Sequence, residues 1–150
     1  MRSWATPACV IVKHANPCGV ATGRKLKSAY ERAYASDPTS AYGGVIAFNR
    51  ALDAGTAEQI LDNQFAEVIV APKIEERAAE VLEKKPNIRV LECGEKSAQA
   101  HEWELKALDG GVLLQERDLI ELAKSELKTV TKRKPSKTEL RDLLFAWKVV

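Results

Sequence analysis

A layered α/β domain with a largely parallel sheet is the fold class this sequence predicts, and three observations carry that expectation. Short apolar runs rich in β-branched residues recur through the first 92 positions, amphipathic helical stripes lie between them, and Pro, Gly, Asp or Asn marks most junctions. Such an alternation of periods 2 and 3.6 gives parallel strands joined by right-handed crossovers.

The first element, Ala8 to Val12, is continuous and apolar, as a strand covered on both faces would be. From Leu26 the period changes: Leu26, Ala29, Tyr30, Ala33 and Tyr34 form one helical stripe, which Asp37-Pro38 stops. Gly44 to Phe48 is the next strand. Ala57, Ile60, Leu61 and Phe65 then mark the inward face of a second helix, with Asp53 as its N-cap. Val68 to Ala71 returns to strand, and Ile74, Ala78, Val81 and Leu82 repeat the helical spacing before Lys84-Lys85 and Pro86-Asn87 end it. Ile88 to Leu91 reads as the following strand.

Residues 93 to 110 carry a weaker pattern. Trp103, Leu105 and Ala107 alternate, and Gly110-Gly111 turns into Val112-Leu113-Leu114, which predicts an added hairpin or edge. Ser136 and Glu139 have capping-box spacing, and Leu140, Leu143, Leu144, Trp147 and Val150 continue as a helical stripe. That helix, 137–150, meets no stop signal, so we expect a single domain over 1–150 cut from a longer chain.

At 150 residues and 45% apolar content the chain can support one ordinary core, burying ~68–70% of the surface its unfolded form exposes. Charged residues make up 29% with a net charge of only +2, which argues against nucleic acid or an anionic membrane as partner. The basic run Lys128, Lys132, Arg133, Lys134 and Lys137 lacks the interleaved aromatics that would change this. Cys9, Cys18 and Cys93 are odd in number without a CxxC pair, as reduced cytosolic thiols would be. No apolar stretch approaches the ~20 residues of a membrane span and no signal peptide is visible, so the expected location is the cytoplasm.

"KHANPCG" is the first stretch with chemical potential. Alternation along a strand puts Ile11 and Lys13 on one face and Val10 and Val12 on the other, with His14 opening the loop. Ligands of open parallel sheets bind beyond the carboxyl ends of the strands, where Lys13 and His14 would fall. Asn16, Pro17 and Gly19 read as a rigid supporting turn that holds the two bases still. A fixed imidazole can take a proton near neutral pH and a fixed ammonium can stabilise developing negative charge, which suits acyl transfer to a weak nitrogen nucleophile. The bland alternative is a solvated strand end followed by a loop.

"DPTSAYGGVIAFNR" is the second stretch. Its paired glycines, Gly43 and Gly44, would let a flat ligand or phosphate approach backbone N–H groups, although taken by itself the stretch favours an ordinary tight turn with Tyr42 in the core. Glu67 opens the third strand and could accept from a ligand amine; most such glutamates are merely solvated. Pro17-Cys18 resembles part of a zinc deaminase signature, but Asn16 stands in place of the catalytic Glu and Ala21 in place of the second Cys. Zinc deamination is rejected, and no metal is expected.

Taken together, "VIVKHANPCGVA", "DPTSAYGGVIAFNR", "EVIVAP" and "VTKRKPSKTELRDLLFAWKVV" closely resemble the bifunctional purine biosynthesis family, in its phosphoribosylaminoimidazolecarboxamide formyltransferase part. The resemblance runs from about Pro7 to Val150; Met1 to Thr6 fit less well, as an added leader or another start site would. It implies a cytidine deaminase-like α/β/α sandwich with a mostly parallel mixed sheet. It also implies formyl transfer from 10-formyltetrahydrofolate to the 5-amino group of aminoimidazole carboxamide ribonucleotide, on the way to IMP, in a homodimer. Lys13 and His14 match the family's catalytic pair, and Tyr42, Gly43 and Glu67 match its substrate contacts. Since the second half of the site, with most folate contacts, is absent from the chain, the resemblance also implies little activity for these residues alone. A non-catalytic nucleotide-binding module and a purely structural, self-associating piece remain the alternatives from other classes.

Overall fold

The computed structural model describes residues 4–94, 103–118, 120 and 122–149. Two compact units divide the chain, Met1–Ala98 and Gln99–Val150, and each is taken by itself.

The first unit is built on a five-stranded sheet of order β2-β1-β3-β4-β5. Its strands are β1 (Ala8–Lys13), β2 (Asn16–Thr22), β3 (Gly44–Phe48), β4 (Ala66–Ala71) and β5 (Arg89–Glu92). β1 runs antiparallel to both its neighbours, while β3, β4 and β5 pair in parallel, so β1 alone is reversed. The layered α/β class with a mixed, mostly parallel sheet is therefore the one observed.

Helices α1 (Leu26–Ser36), α2 (Pro38–Ala41), α3 (Ala54–Asn63) and α4 (Glu76–Leu82) fill the crossovers. Leu26, Ala29, Tyr30 and Ala33 of α1, Ala57 and Ile60 of α3, and Ala78, Val81 and Leu82 of α4 join Cys9, Ile11, Ile46, Phe48 and Ile69 in one core. Asp53 caps α3 as its position predicts: its carboxylate accepts from the Thr56 backbone N–H at 2.9 Å and from the Thr56 hydroxyl at 2.8 Å. The other face of the sheet carries Val10, Val12, Val20, Val45, Ala47, Val68 and Val70, all half-buried.

Trp4 to Thr6 are held to this unit by Asn49, whose amide donates to the carbonyls of Trp4 and Thr6, both at 2.9 Å, while its oxygen accepts from Ala8 at 2.8 Å. Ile74 forms a bridge with Leu52 instead of opening α4.

The second unit contains the expected hairpin, β6 (Trp103–Leu108) and β7 (Gly111–Glu116), in antiparallel register with Leu105 opposite Leu114. α5 (Lys137–Val149) follows; Val150 and residues 95–102 lie outside the described residues. The capping box forms as its spacing predicts: Glu139 N–H donates to the Ser136 hydroxyl at 3.2 Å and Ser136 N–H to the Glu139 carboxylate at 2.8 Å. Arg133 adds two bonds of 2.9 Å to that carboxylate. Arg133 first, then the Ser136 backbone and hydroxyl, hold the Glu139 carboxyl down to about 2.

Candidate functional site

β1 delivers Lys13 to its last position, opposite Asn16, and the chain reverses through His14 and Ala15 alone. Both residues have left-handed backbone, with φ of 51° and 66°. A two-residue hairpin loop with φ > 0 at both positions matches the twist of the flanking strands, but it is normally built from Asn or Gly. Here it is built from His and Ala, which makes it strained, and strain of this kind concentrates at functional sites. Ala15→Gly is expected to raise stability by about 1 kcal/mol by relieving the left-handed conformation, read as a higher denaturant midpoint; an unchanged or lower midpoint removes strain from the account.

The predicted supporting turn at Asn16, Pro17 and Gly19 is not a turn. These residues form β2, an edge strand, where a proline without an N–H is tolerated. The register shifts between Ile11↔Gly19 and Val12↔Pro17, so Cys18 is the extra residue of a β-bulge, and its thiol donates to the Ile11 carbonyl at 3.5 Å. Burial pushes the Cys18 thiol up; the peptide hydrogen bond opposes this, and Asp37 and Lys13 act in opposite senses after it. The support for Lys13 and His14 is thus a bulged hairpin, held in place because Gly19 lets α1 lie directly on β2. A Cβ on Gly19 would stand 2.1 Å from the Ala33 carbonyl oxygen.

Tyr42 and Gly43 reach the same place from another part of the chain. Asp37 caps the short helix α2, accepting from Ser40 N–H at 3.0 Å, with Pro38 in its first turn. The chain then turns through Tyr42 and Gly43 into β3. Lys13 Nζ donates to the Tyr42 carbonyl at 2.9 Å and to the Gly43 carbonyl at 3.1 Å. This corrects the reading of the paired glycines as an N–H cradle. The Gly43 N–H is taken by the Phe65 carbonyl at 2.8 Å, and the turn offers carbonyls to a cation instead.

Tyr42 is also not a core residue: it is 64% exposed, with its ring 6.1 Å from that of Phe65. Glu67, the second residue of β4, is exposed, and its Oε1 and Lys13 Nζ border the same small space beside the Cα of Gly43, at 3.9 and 3.0 Å from where a Cβ would stand. Three separated motifs therefore meet at one end of the sheet: Lys13 from β1, Tyr42-Gly43 before β3, and Glu67 from β4. His14 sits next to them in sequence, at the exposed tip of the hairpin.

Sequence reasoning missed Ala15, Cys18 and Asp37. Asp37-Pro38 was legible as a helix stop but equally has the signature of a helix start; nothing local marks Ala15 as left-handed. Among the described residues no group of three or more His, Cys, Asp or Glu side chains is placed to hold a metal ion.

The chain is similar to Acinetobacter baumannii RibD, form 1, at 20% identity and TM-score 0.46 over 56% of this chain and 27% of that one. It is similar to form 2 at 21% identity and TM-score 0.45 over 57% of this chain and 27% of that one. The match thus spans about a quarter of the length of those proteins. A family model described as AICARFT/IMPCHase bienzyme matches residues 1–150, and the chain accordingly belongs to the AICARFT/IMPCHase bienzyme family.

Proposed function

We propose that this chain carries part of the active site of an aminoimidazole carboxamide ribonucleotide formyltransferase, using 10-formyltetrahydrofolate as cosubstrate in IMP biosynthesis. The observation that supports it best is the anchoring of Lys13 on the Tyr42 and Gly43 carbonyls beside Glu67. A ligand at this end of the sheet meets a cation, a carboxylate and an exposed aromatic ring at once.

The amine to be formylated is conjugated with its ring and carboxamide and is a poor nucleophile. As its lone pair bonds to the formyl carbon, the nitrogen becomes acidic, and His14 takes that proton as general base, an effect worth ~10²–10⁴ in rate. The carbonyl oxygen gains negative charge at the same time. Lys13 stabilises this oxyanion with the N–H not engaged by the two carbonyls; as the tetrahedral centre collapses, its C–N bond to the folate breaks and the folate nitrogen leaves as the neutral amine, taking the proton that His14 removed from the attacking amine. Tyr42, Gly43 and Glu67 hold the nucleotide's heterocycle.

The enzyme works as a homodimer in the cytoplasm, and the folate-binding remainder of the site comes from segments outside these residues. The 150-residue chain by itself should therefore turn over little or not at all.

His14→Ala in the full-length parent protein tests the reading. Formyl transfer is expected to fall by ~10²-fold or more while nucleotide binding, followed by calorimetry, is retained. Unchanged turnover sinks the role of His14; lost binding with it would favour a nucleotide-holding module.

A further inference from the structure

We propose that Gly43 is a positioning residue for Lys13, a role that rests on the reading of Lys13 as catalytic and is separate from any contact of Gly43 with substrate. Tyr42 has φ −60° and ψ 125°, and Gly43 has φ +68°. These are the central angles of a type II turn, whose third residue requires φ > 0 and hence glycine. In extended backbone successive carbonyls point to opposite sides, so a straight entry into β3 would offer Lys13 only one acceptor. The turn brings two consecutive carbonyls onto one ammonium, at 2.9 and 3.1 Å.

The missing side chain matters as much as the backbone angle. A Cβ on Gly43 would lie 3.0 Å from Lys13 Nζ, closer than any other atom it would meet, with Glu67 Oε1 next at 3.9 Å. The neighbour that must give way, by a few tenths of an ångström, is the tip of a flexible side chain, so alanine here adds the backbone strain of φ +68° and shifts the ammonium but meets no backbone atom. Gly44 is different. Its Cβ would meet the backbone oxygens of Ala41 and Val12 at 2.9 and 3.1 Å, which makes it a packing glycine. The Gly43 N–H, bound to Phe65 at 2.8 Å, ties the turn to the segment that leads into Glu67. Gly43 therefore fixes where the positive charge stands relative to the carboxylate.

The test is chemical first and kinetic second. Acetylation of Lys13 by an N-hydroxysuccinimide ester, read by peptide mass spectrometry against the exposed Lys27 of the same chain, should rise about fivefold or more in Gly43→Ala, roughly the factor of one net hydrogen bond. Gly44→Ala should lower the melting temperature and leave that ratio alone. An unchanged ratio in Gly43→Ala overturns the proposal. Should Gly43→Ala fail to fold, the unaltered chain decides: Lys13 protected relative to Lys27 supports the anchoring, and equal rates overturn it.

In the full-length parent, Gly43→Ala should lower kcat by ~10-fold, as expected for a catalytic group displaced by a few tenths of an ångström, with KM within about twofold. A raised KM at unchanged kcat would make Gly43 a substrate contact only and overturn the positioning role. Lys13→Ala with full turnover would instead sink the underlying reading of Lys13, while the acetylation result would still stand.

Discussion

Gly19→Ala is expected to destabilise the first unit by about 3 kcal/mol or more, at or beyond the upper end of ordinary overpacking. The added Cβ would stand 2.1 Å from the Ala33 carbonyl oxygen and 2.8 Å from its carbon. Both are backbone atoms of α1, so no rotamer change relieves the clash. Either α1 lifts from β2, opening the core around Ala29, Tyr30 and Ala33, or β2 leaves its register with β1. The first route also disturbs the contact of α1 with α3, where the Tyr34 hydroxyl donates to the Asn63 carbonyl at 3.1 Å and the buried Gln64 amide donates to the Tyr30 hydroxyl at 3.3 Å. At about 4–8 °C per kcal/mol for a domain of this size, the melting temperature should fall by about 12 °C or more. A fall of less than 3 °C in calorimetry would mean that α1 can shift without cost and that the close contact is not structural.

Lys13→Ala in the full-length parent is expected to lower kcat by ~10²–10³, the range for removing one group that stabilises an oxyanion. Two features make the loss large. The ammonium is held by backbone acceptors, so its position is set before any ligand arrives, and its neighbours at this end of the sheet cannot stand in for it: Glu67 carries the opposite charge and His14 sits at the exposed hairpin tip. Lys13→Arg should recover little, because a planar guanidinium cannot reproduce the compact contact with two adjacent carbonyls. Circular dichroism and melting temperature should stay near those of the parent, since a half-buried lysine at a strand end contributes little to the core. Turnover reduced less than tenfold in Lys13→Ala would remove Lys13 from the chemistry.

The elements were legible where the apolar period was long and its borders carried chemistry. β3 runs from Gly44 to Phe48 as expected, α3 begins after the Asp53 cap, and the box of Ser136 and Glu139 opens α5. β2 was illegible because Asn16, Pro17 and Gly19 are turn formers; only the edge position of the strand makes the proline tolerable, and that position is a property of the whole sheet. The true turn at His14-Ala15 was hidden for the converse reason, since neither residue favours φ > 0 and tertiary pairing imposes it. Candidate residues could be named from motifs, but not their meeting. Lys13 touches Tyr42 and Gly43 because β1 lies against β3 with Val12 opposite Val45, a register that no local pattern contains.

The reversal of β1 within the sheet bears on the order of folding. β1 meets β2 across a two-residue loop, a pairing that a hairpin can make in ~1–10 μs. β1 meets β3 only after α1 and α2 have been laid down, a closure that carries more chain entropy. The strand that bears Lys13 is thus expected to pair with one neighbour before the carbonyls that anchor its ammonium are in place. Pulse-labelled amide exchange during refolding should show Ala21, whose N–H faces β1, protected ahead of Gly43; simultaneous protection would mean that the sheet and its chemical end form in a single step.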